Sequence, residues 1–171
     1  MEGNSIYEAI YQMSHFAPLV IIVASILDIF LVTGFILYGA AMITTVAAMH
    51  MSGMITTEAL IMSASIGTVT GNILNYWLGR LFGETEYVKK KLEHPKMIKA
   101  KVFLKSRGLL LYMTASRFIA VIRPMYAVLL GSMNISFRRF IAYEIPLAVF
   151  WVIFWLVIIV EGEQLYSRLM S

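Results

Sequence analysis

Long stretches without charge are the feature that most constrains this chain. Between Glu8 and Glu58 the only formally charged residue is Asp28, and no charged residue lies between Glu58 and Arg80. A bilayer span needs about 20 mostly apolar residues, and these stretches exceed that length. Their runs are continuously apolar rather than alternating, which excludes the strands of an outer-membrane barrel. We therefore predict one all-α integral membrane domain within the 171 residues.

The basic residues are concentrated in one segment, residues 84–107. This segment holds eight of the 14 lysines and arginines, and the positive-inside rule places it in the cytoplasm. The same segment would also serve as a surface for a cytoplasmic partner or for anionic lipids, and neither use excludes a topology role. The net charge of +4 thus marks a side of the membrane, and we expect no nucleic-acid partner.

With residues 84–107 inside, residues 58–82 form one span and residues 140–160 another, followed by a tail at 161–171. The intervening region, 108–136, is longer than one crossing and shorter than two. It also contains Arg117, Arg123 and Pro124. Charges are costly at membrane depth and proline interrupts a helix, so we predict a re-entrant hairpin that enters from the cytoplasm and returns.

The first apolar region, residues 10–49, allows two solutions. It forms two full spans, or an N-terminal helix (1–27) followed by a re-entrant hairpin from the outside within residues 28–83. The second solution gives two opposed hairpin-plus-span halves, 28–83 and 108–160. This is an inverted repeat, in which broken helices meet near the midplane and form the substrate site.

Two blocks of sequence resemble a known family. GNILNYWLGRLFG (residues 71–83) is similar to the G-D-x-x-x-Y-x-x-G-R-x-x-G stretch of the DedA proteins, also called SNARE-associated Golgi or VTT-domain proteins. The second block, residues 116–151, resembles the R-F-x-P-x-x-R segment of that family and the G-M-x-x-M-S-Y-x-x-F-x-x-Y block that follows it. The resemblance implies two facing re-entrant hairpins and movement of lipids between leaflets, as flippase or scramblase. Bacterial members are linked to undecaprenyl phosphate recycling in the inner membrane, and eukaryotic members lie in the ER or Golgi.

The resemblance also implies roles for particular residues. Arg117 and Arg123 match the two functional arginines of the family, Asp28 resembles its first membrane acid, and Gly39 resembles the glycine of its P-G-[DE] motif. The chain departs from the pattern at four positions: Ala40 for the second acid, Asn72 for the aspartate of G-D, Ala120 for a proline and Leu147 for a glycine. Because two acids are replaced, proton coupling stays open.

Arginine binds phosphate through a planar fork of donors. Arg117 and Arg123 therefore bind a lipid headgroup, or they form a structural pair that bonds hairpin carbonyls or Asp28. Asp28 partners an arginine or carries a proton, or it lies hydrated at the outer interface. Asn72 would line the cavity, because an amide both donates and accepts.

Three further features complete the candidate site and its surroundings. Tyr76 is a candidate substrate contact. For Glu144 we predict an interfacial pair with Arg138 or Arg139, with the cytoplasmic mouth of the cavity as the alternative. The regularly spaced glycines in and directly after the predicted span 58–82 favour close packing of helices. They are Gly67, Gly71, Gly79 and Gly83.

We expect a lipid transporter whose partners are membrane lipids with anionic phosphate headgroups. The alternative functions are a non-transporting membrane scaffold or subunit, and a small ion-coupled exporter. A homo-oligomer is compatible with each of these functions. No motif combines a nucleophile, a base and an oxyanion site, so we expect no enzyme activity. The absence of cysteine and the wide spacing of the three histidines lead us to expect no metal and no cofactor.

Overall fold

Seven helices make up most of the part of the chain that this computed structural model describes, which is residues 2–30, 53, 55–119 and 122–170. They are α1 (Glu2–Ile29), α2 (Thr57–Phe82), α3 (Glu86–Leu92), α4 (Pro95–Arg107), α5 (Leu109–Ser116), α6 (Tyr126–Ser132) and α7 (Phe137–Met170). These ranges contain no strand, and the predicted all-helical class is confirmed. Most of the region for which we predicted either a first hairpin or a second span lies outside the described residues. Gly39, Ala40 and Ala120 also lie outside them.

Helices α2 and α7 occupy the two spans predicted around the basic segment. Thr56 caps α2 by accepting a hydrogen bond from the Ala59 amide at 3.3 Å. Within the described residues, one stretch is long and apolar enough to cross a membrane, Phe137–Ile158, with mean hydropathy 2.2. Helix α2 is less apolar because serine, threonine, asparagine and glycine occupy its buried face. Helix α7 continues to Met170, so the predicted tail begins as helix.

Helix α2 is the element on which the others pack. Helix α1 lies beside it and runs in the same direction, since Gly67 faces Ile22 and Gly71 faces Ile26. Helix α6 meets the other end of α2, where Gly79 lies directly against the Val128 carbonyl. Gly131 of α6 likewise lies against the Tyr76 carbonyl of α2. The packing role predicted for the glycines is confirmed.

The predicted basic loop is helical in the structure, which corrects its description as a loop. It forms α3 and α4, and His94 caps α4 by accepting from the Lys96 amide at 3.3 Å. Lys89 forms an ion pair with Glu84 at 2.8 Å. The hydrogen bond and charge of Lys89 hold the pKa of Glu84 below its usual value, but such an exposed pair contributes little to stability.

The region that follows α4 is divided, as its proline predicts. Gly108 adopts a φ of 87°, a conformation that glycine reaches at little cost, and the chain turns there into α5. Helix α5 ends at Ser116, and α6 begins only at Tyr126. The predicted interruption near Pro124 is therefore confirmed. The Tyr112 hydroxyl lies 3.4 Å from the Tyr126 carbonyl oxygen, so the two short helices are neighbours.

Two apolar clusters stabilise the bundle, and polar residues lie between them along the helices. On α2, Leu60 belongs to one cluster and Tyr76 to the other, and on α7 the corresponding residues are Val152 and Phe140. The two helices are therefore antiparallel, as their predicted directions require. The buried polar side chains of α2 and α7 occupy the positions between these apolar residues. They are Ser63, Ser65, Thr68, Asn72, Asn75 and Glu144.

Gly79→Ala tests the contact between α2 and α6. A methyl group there would overlap the Val128 carbonyl, and overpacking typically costs about 1–3 kcal/mol. At Gly71 the added Cβ would lie 3.3 Å from the Ile26 carbonyl oxygen, so Gly71→Ala is the matched control, with the helix propensity of alanine as an offset of roughly 1 kcal/mol. Unfolding in detergent micelles should show a large decrease in the free energy of unfolding for Gly79→Ala and a small change for Gly71→Ala. Equal losses would contradict the close contact.

Candidate functional site

The carboxylate of Glu144 is the centre of a buried hydrogen-bond network. Its Oε1 accepts from Arg117 Nη2 at 2.6 Å and from Asn72 Nδ2 at 2.7 Å. Its Oε2 accepts from the Tyr126 hydroxyl at 2.6 Å. These donors come from α2, the end of α5 and the start of α6, so one carboxylate connects four elements. Bonds to an ionised acceptor are among the strongest in proteins.

Glu144 points inward because of its position on α7. Residues four apart share a helix face, and Phe140, Glu144 and Ala148 are all fully buried. Arg138 and Arg139 are exposed on other faces of the helix. The predicted interfacial pair of Glu144 with Arg138 or Arg139 is therefore wrong, and the inward apolar stripe is the signal that could have shown it.

Arg117 is buried at the end of α5. Its guanidinium pairs with Glu144, donates to the Tyr126 hydroxyl at 3.3 Å, and lies 5.8 Å from the centre of that ring. The α5 helix stops here, and the change of direction carries Arg117 toward α6 and α7. Its Nε atom has no hydrogen-bond partner within the described chain.

Arg123 forms a second, separate ion pair. Its Nη2 lies 2.9 Å from Oδ2 of Asp28, near the end of α1. The guanidinium also lies 5.6 Å from the Trp151 ring, within cation–π range. The Asp28 side chain is 3% exposed and that of Arg123 is 22% exposed. The predicted pairing of Asp28 with an arginine is confirmed, and its hydrated alternative is wrong because protein covers the carboxylate.

Several buried polar atoms around these pairs have unused hydrogen-bonding capacity. In the described residues they are the hydroxyls of Ser25, Ser65 and Thr68 and the Oδ1 atom of Asn72. Most buried polar atoms in native proteins have a partner. A polar guest, such as water or a headgroup, would supply partners that the described side chains do not.

Tyr76 lies apart from the Glu144 network. Its hydroxyl donates to the Ile135 carbonyl at 2.7 Å, and its ring stacks on Phe140 at 4.9 Å. Asn75, one residue earlier, donates to the Ile29 carbonyl at 2.8 Å. These contacts join α2 to the start of α7 and to the end of α1. The structure thus brings five predicted residues into two neighbouring ion-pair clusters and assigns Tyr76 to packing.

Two residues of the site were not among the sequence candidates. Tyr126 donates to Glu144, and Trp151 covers Arg123. Trp151 is seven residues from Glu144, or two helical turns, which could have placed it on the same face. Tyr126 has no comparable signal, because its position depends on how the two short helices α5 and α6, here called the broken segment, pack together. Over the described residues, no three His, Asp or Glu side chains are close enough to hold a metal.

Comparison with known protein families gives one match. The profile of the VTT domain matches residues 17–161, which includes both ion pairs. The chain belongs to the VTT-domain, or DedA, family. This is a family of membrane proteins. No curated protein and no solved structure matches the chain.

Glu144→Gln should destabilise the protein strongly. The substitution keeps the size of the side chain but leaves Arg117 buried without a countercharge, and breaking a buried pair typically costs about 3–5 kcal/mol. Glu93 is exposed, so Glu93→Gln is the control and should change the unfolding free energy by less than about 0.5 kcal/mol. Steric-trap or thermal unfolding in detergent measures both. Similar values for the two variants would contradict the buried network.

Proposed function

We propose that this VTT-domain protein moves phosphate-bearing lipids between leaflets, either as a translocase for a polyprenyl phosphate or as a phospholipid scramblase. The observation that carries the proposal is a pair of arginines among apolar helices, Arg117 buried and Arg123 partly exposed, each beside a buried carboxylate. Ionisable residues inside a membrane bundle are rare and usually mark a transport path. The proposal contains no chemical step on the lipid and no cofactor.

The two arginines differ in how readily they would meet a headgroup. Arg123 is partly exposed and has one acidic partner, whereas Arg117 is buried and is held by Glu144 and Tyr126. A phosphate would first meet Arg123 and replace the Asp28 carboxylate there. Arginine suits this exchange because its fork binds phosphate and carboxylate in the same way.

The depth of the site favours access from the basic side of the domain. Glu144 lies seven residues into α7, which is about 10 Å at 1.5 Å per residue. A hydrocarbon layer is about 30 Å thick, so a headgroup would need to travel about a third of it to reach Glu144. In the proposed topology residues 84–107 are cytoplasmic, in a bacterial inner membrane, and the two hairpins are re-entrant from opposite sides.

Proton coupling would use the two carboxylates of these pairs. A phosphate that takes over Arg123 leaves Asp28 without its partner, and an unpaired charge inside protein is costly. Proton uptake by the released carboxylate would remove that cost. Asn72 has no proton to exchange but would hold Glu144 in place through its 2.7 Å hydrogen bond.

A membrane scaffold is the second candidate, and the completed ion pairs favour it. Arg117 and Arg123 each have an acidic partner, so the pairs would hold the fold together without any ligand. The hydroxyls of Ser25, Ser65 and Thr68 have no partner among the residues that the structure describes. They favour transport, since a rigid scaffold gains nothing from unused polar atoms.

Transport in proteoliposomes tests the proposal. Movement of a fluorescent polyprenyl phosphate and a fluorescent phospholipid between leaflets should fall at least about tenfold in Arg123→Ala, because a lost charge-assisted hydrogen bond costs about 1.5–3 kcal/mol. Arg139→Ala removes an exposed arginine and should transport like wild type. Folded wild-type protein that moves neither lipid would favour the scaffold, and equal rates in the two variants would exclude Arg123 from the path.

A further inference from the structure

A cavity that neither Arg117 nor Arg123 lines lies between α4 and α5. It has a volume of about 420 Å³, within the range of roughly 300–1,000 Å³ that is typical of ligand pockets. Phe103 of α4 forms one wall, Tyr112 and Ala115 of α5 form another, and Ile122 closes the end. The lining is almost wholly apolar, so it suits a hydrocarbon chain.

Two lysines stand at this cavity. Lys96 and Lys99 line it and are otherwise exposed, an arrangement in which the apolar stem covers the cavity and the ammonium group reaches water. Neither ammonium group has an acidic partner within the described residues, in contrast to Lys89, which pairs with Glu84. Two uncompensated positive charges therefore flank an apolar cavity.

The start of α4 does not itself offer a place for an anion. The amides of Lys96, Met97 and Ile98 all donate to His94, the first to its ring and the others to its carbonyl. The donors that usually hold anions at a helix N-terminus are thus in use. An anion at this cavity would be held by the lysine side chains.

We propose that this cavity binds an anionic membrane lipid, with part of an acyl chain between α4 and α5 and the headgroup between Lys96 and Lys99. A neutral lipid would lack the charge that the lysines attract, and free phosphate would lack the chain that the cavity holds. The bound lipid would fasten the basic helix to the broken segment. This inference does not rest on the proposed transport function, because the cavity contains neither Arg117 nor Arg123.

Native mass spectrometry of the detergent-purified protein tests the site, with phosphatidylglycerol and phosphatidylcholine as probes. Removal of both charges in Lys96→Gln plus Lys99→Gln should weaken phosphatidylglycerol binding about 25-fold, since each basic residue near an anionic headgroup contributes about fivefold, or about 1 kcal/mol. The control is Lys101→Gln plus Lys105→Gln, which removes two exposed charges of α4 outside the cavity. It should weaken binding less than about threefold.

A second variant separates the cavity from general electrostatic attraction. Ala115→Phe fills the cavity without changing charge and should weaken phosphatidylglycerol binding at least about tenfold at an unchanged melting temperature. Arg123→Ala should leave the dependence of phosphatidylglycerol binding on Lys96 and Lys99 unchanged, even where transport is lost. Equal effects of the two lysine pairs, no effect of Ala115→Phe, or displacement of the lipid by inorganic phosphate alone would overturn the proposal.

Discussion

A carboxylate buried among apolar helices must have partners, and that requirement determines how this bundle is assembled. Glu144 accepts hydrogen bonds from Asn72, Arg117 and Tyr126, so this one side chain links α2, α5, α6 and α7. Buried ion pairs gain little against hydrophobic packing but are costly to break. The network therefore specifies the geometry more than it adds stability, and the two apolar clusters on either side supply the burial.

The same pairs govern what the site can bind. Each arginine already has a carboxylate, so under the proposed function a phosphate headgroup would compete with that carboxylate for the guanidinium. Arg123 is the more accessible of the two arginines, because its side chain is 22% exposed whereas that of Arg117 is 4% exposed. The Trp151 ring lies 5.6 Å from the guanidinium and would keep Arg123 in position when its anionic partner changes. This exchange is how the proposed function follows from the observed contacts.

The sequence was sufficient for the helical class, the boundaries of α2, the approximate start of α7, the packing glycines and the interruption near Pro124. These depend on local composition, on spacing along one helix and on the chemistry of proline. Pairing of Arg123 with Asp28 could also be predicted, because few charges exist in the apolar regions.

The partner of Glu144, by contrast, was predicted among nearby arginines, whereas the structure supplies Arg117 from 27 residues away. Only the fold of the broken segment determines that contact, and Tyr126 was missed for the same reason. Helices α3 and α4 were missed because the charge of their sequence was interpreted as a topology signal and a binding surface, and not as helix.

The most direct test of the exchange between carboxylate and phosphate is the affinity of purified protein for a polyprenyl phosphate when Asp28 is replaced by asparagine. Asp28→Asn keeps the shape of the side chain but removes the charge that competes for Arg123. We expect binding to tighten about fivefold or more, equivalent to about 1 kcal/mol, and to be lost when Arg123→Ala is added. Unchanged or weaker binding in folded Asp28→Asn protein would contradict the account.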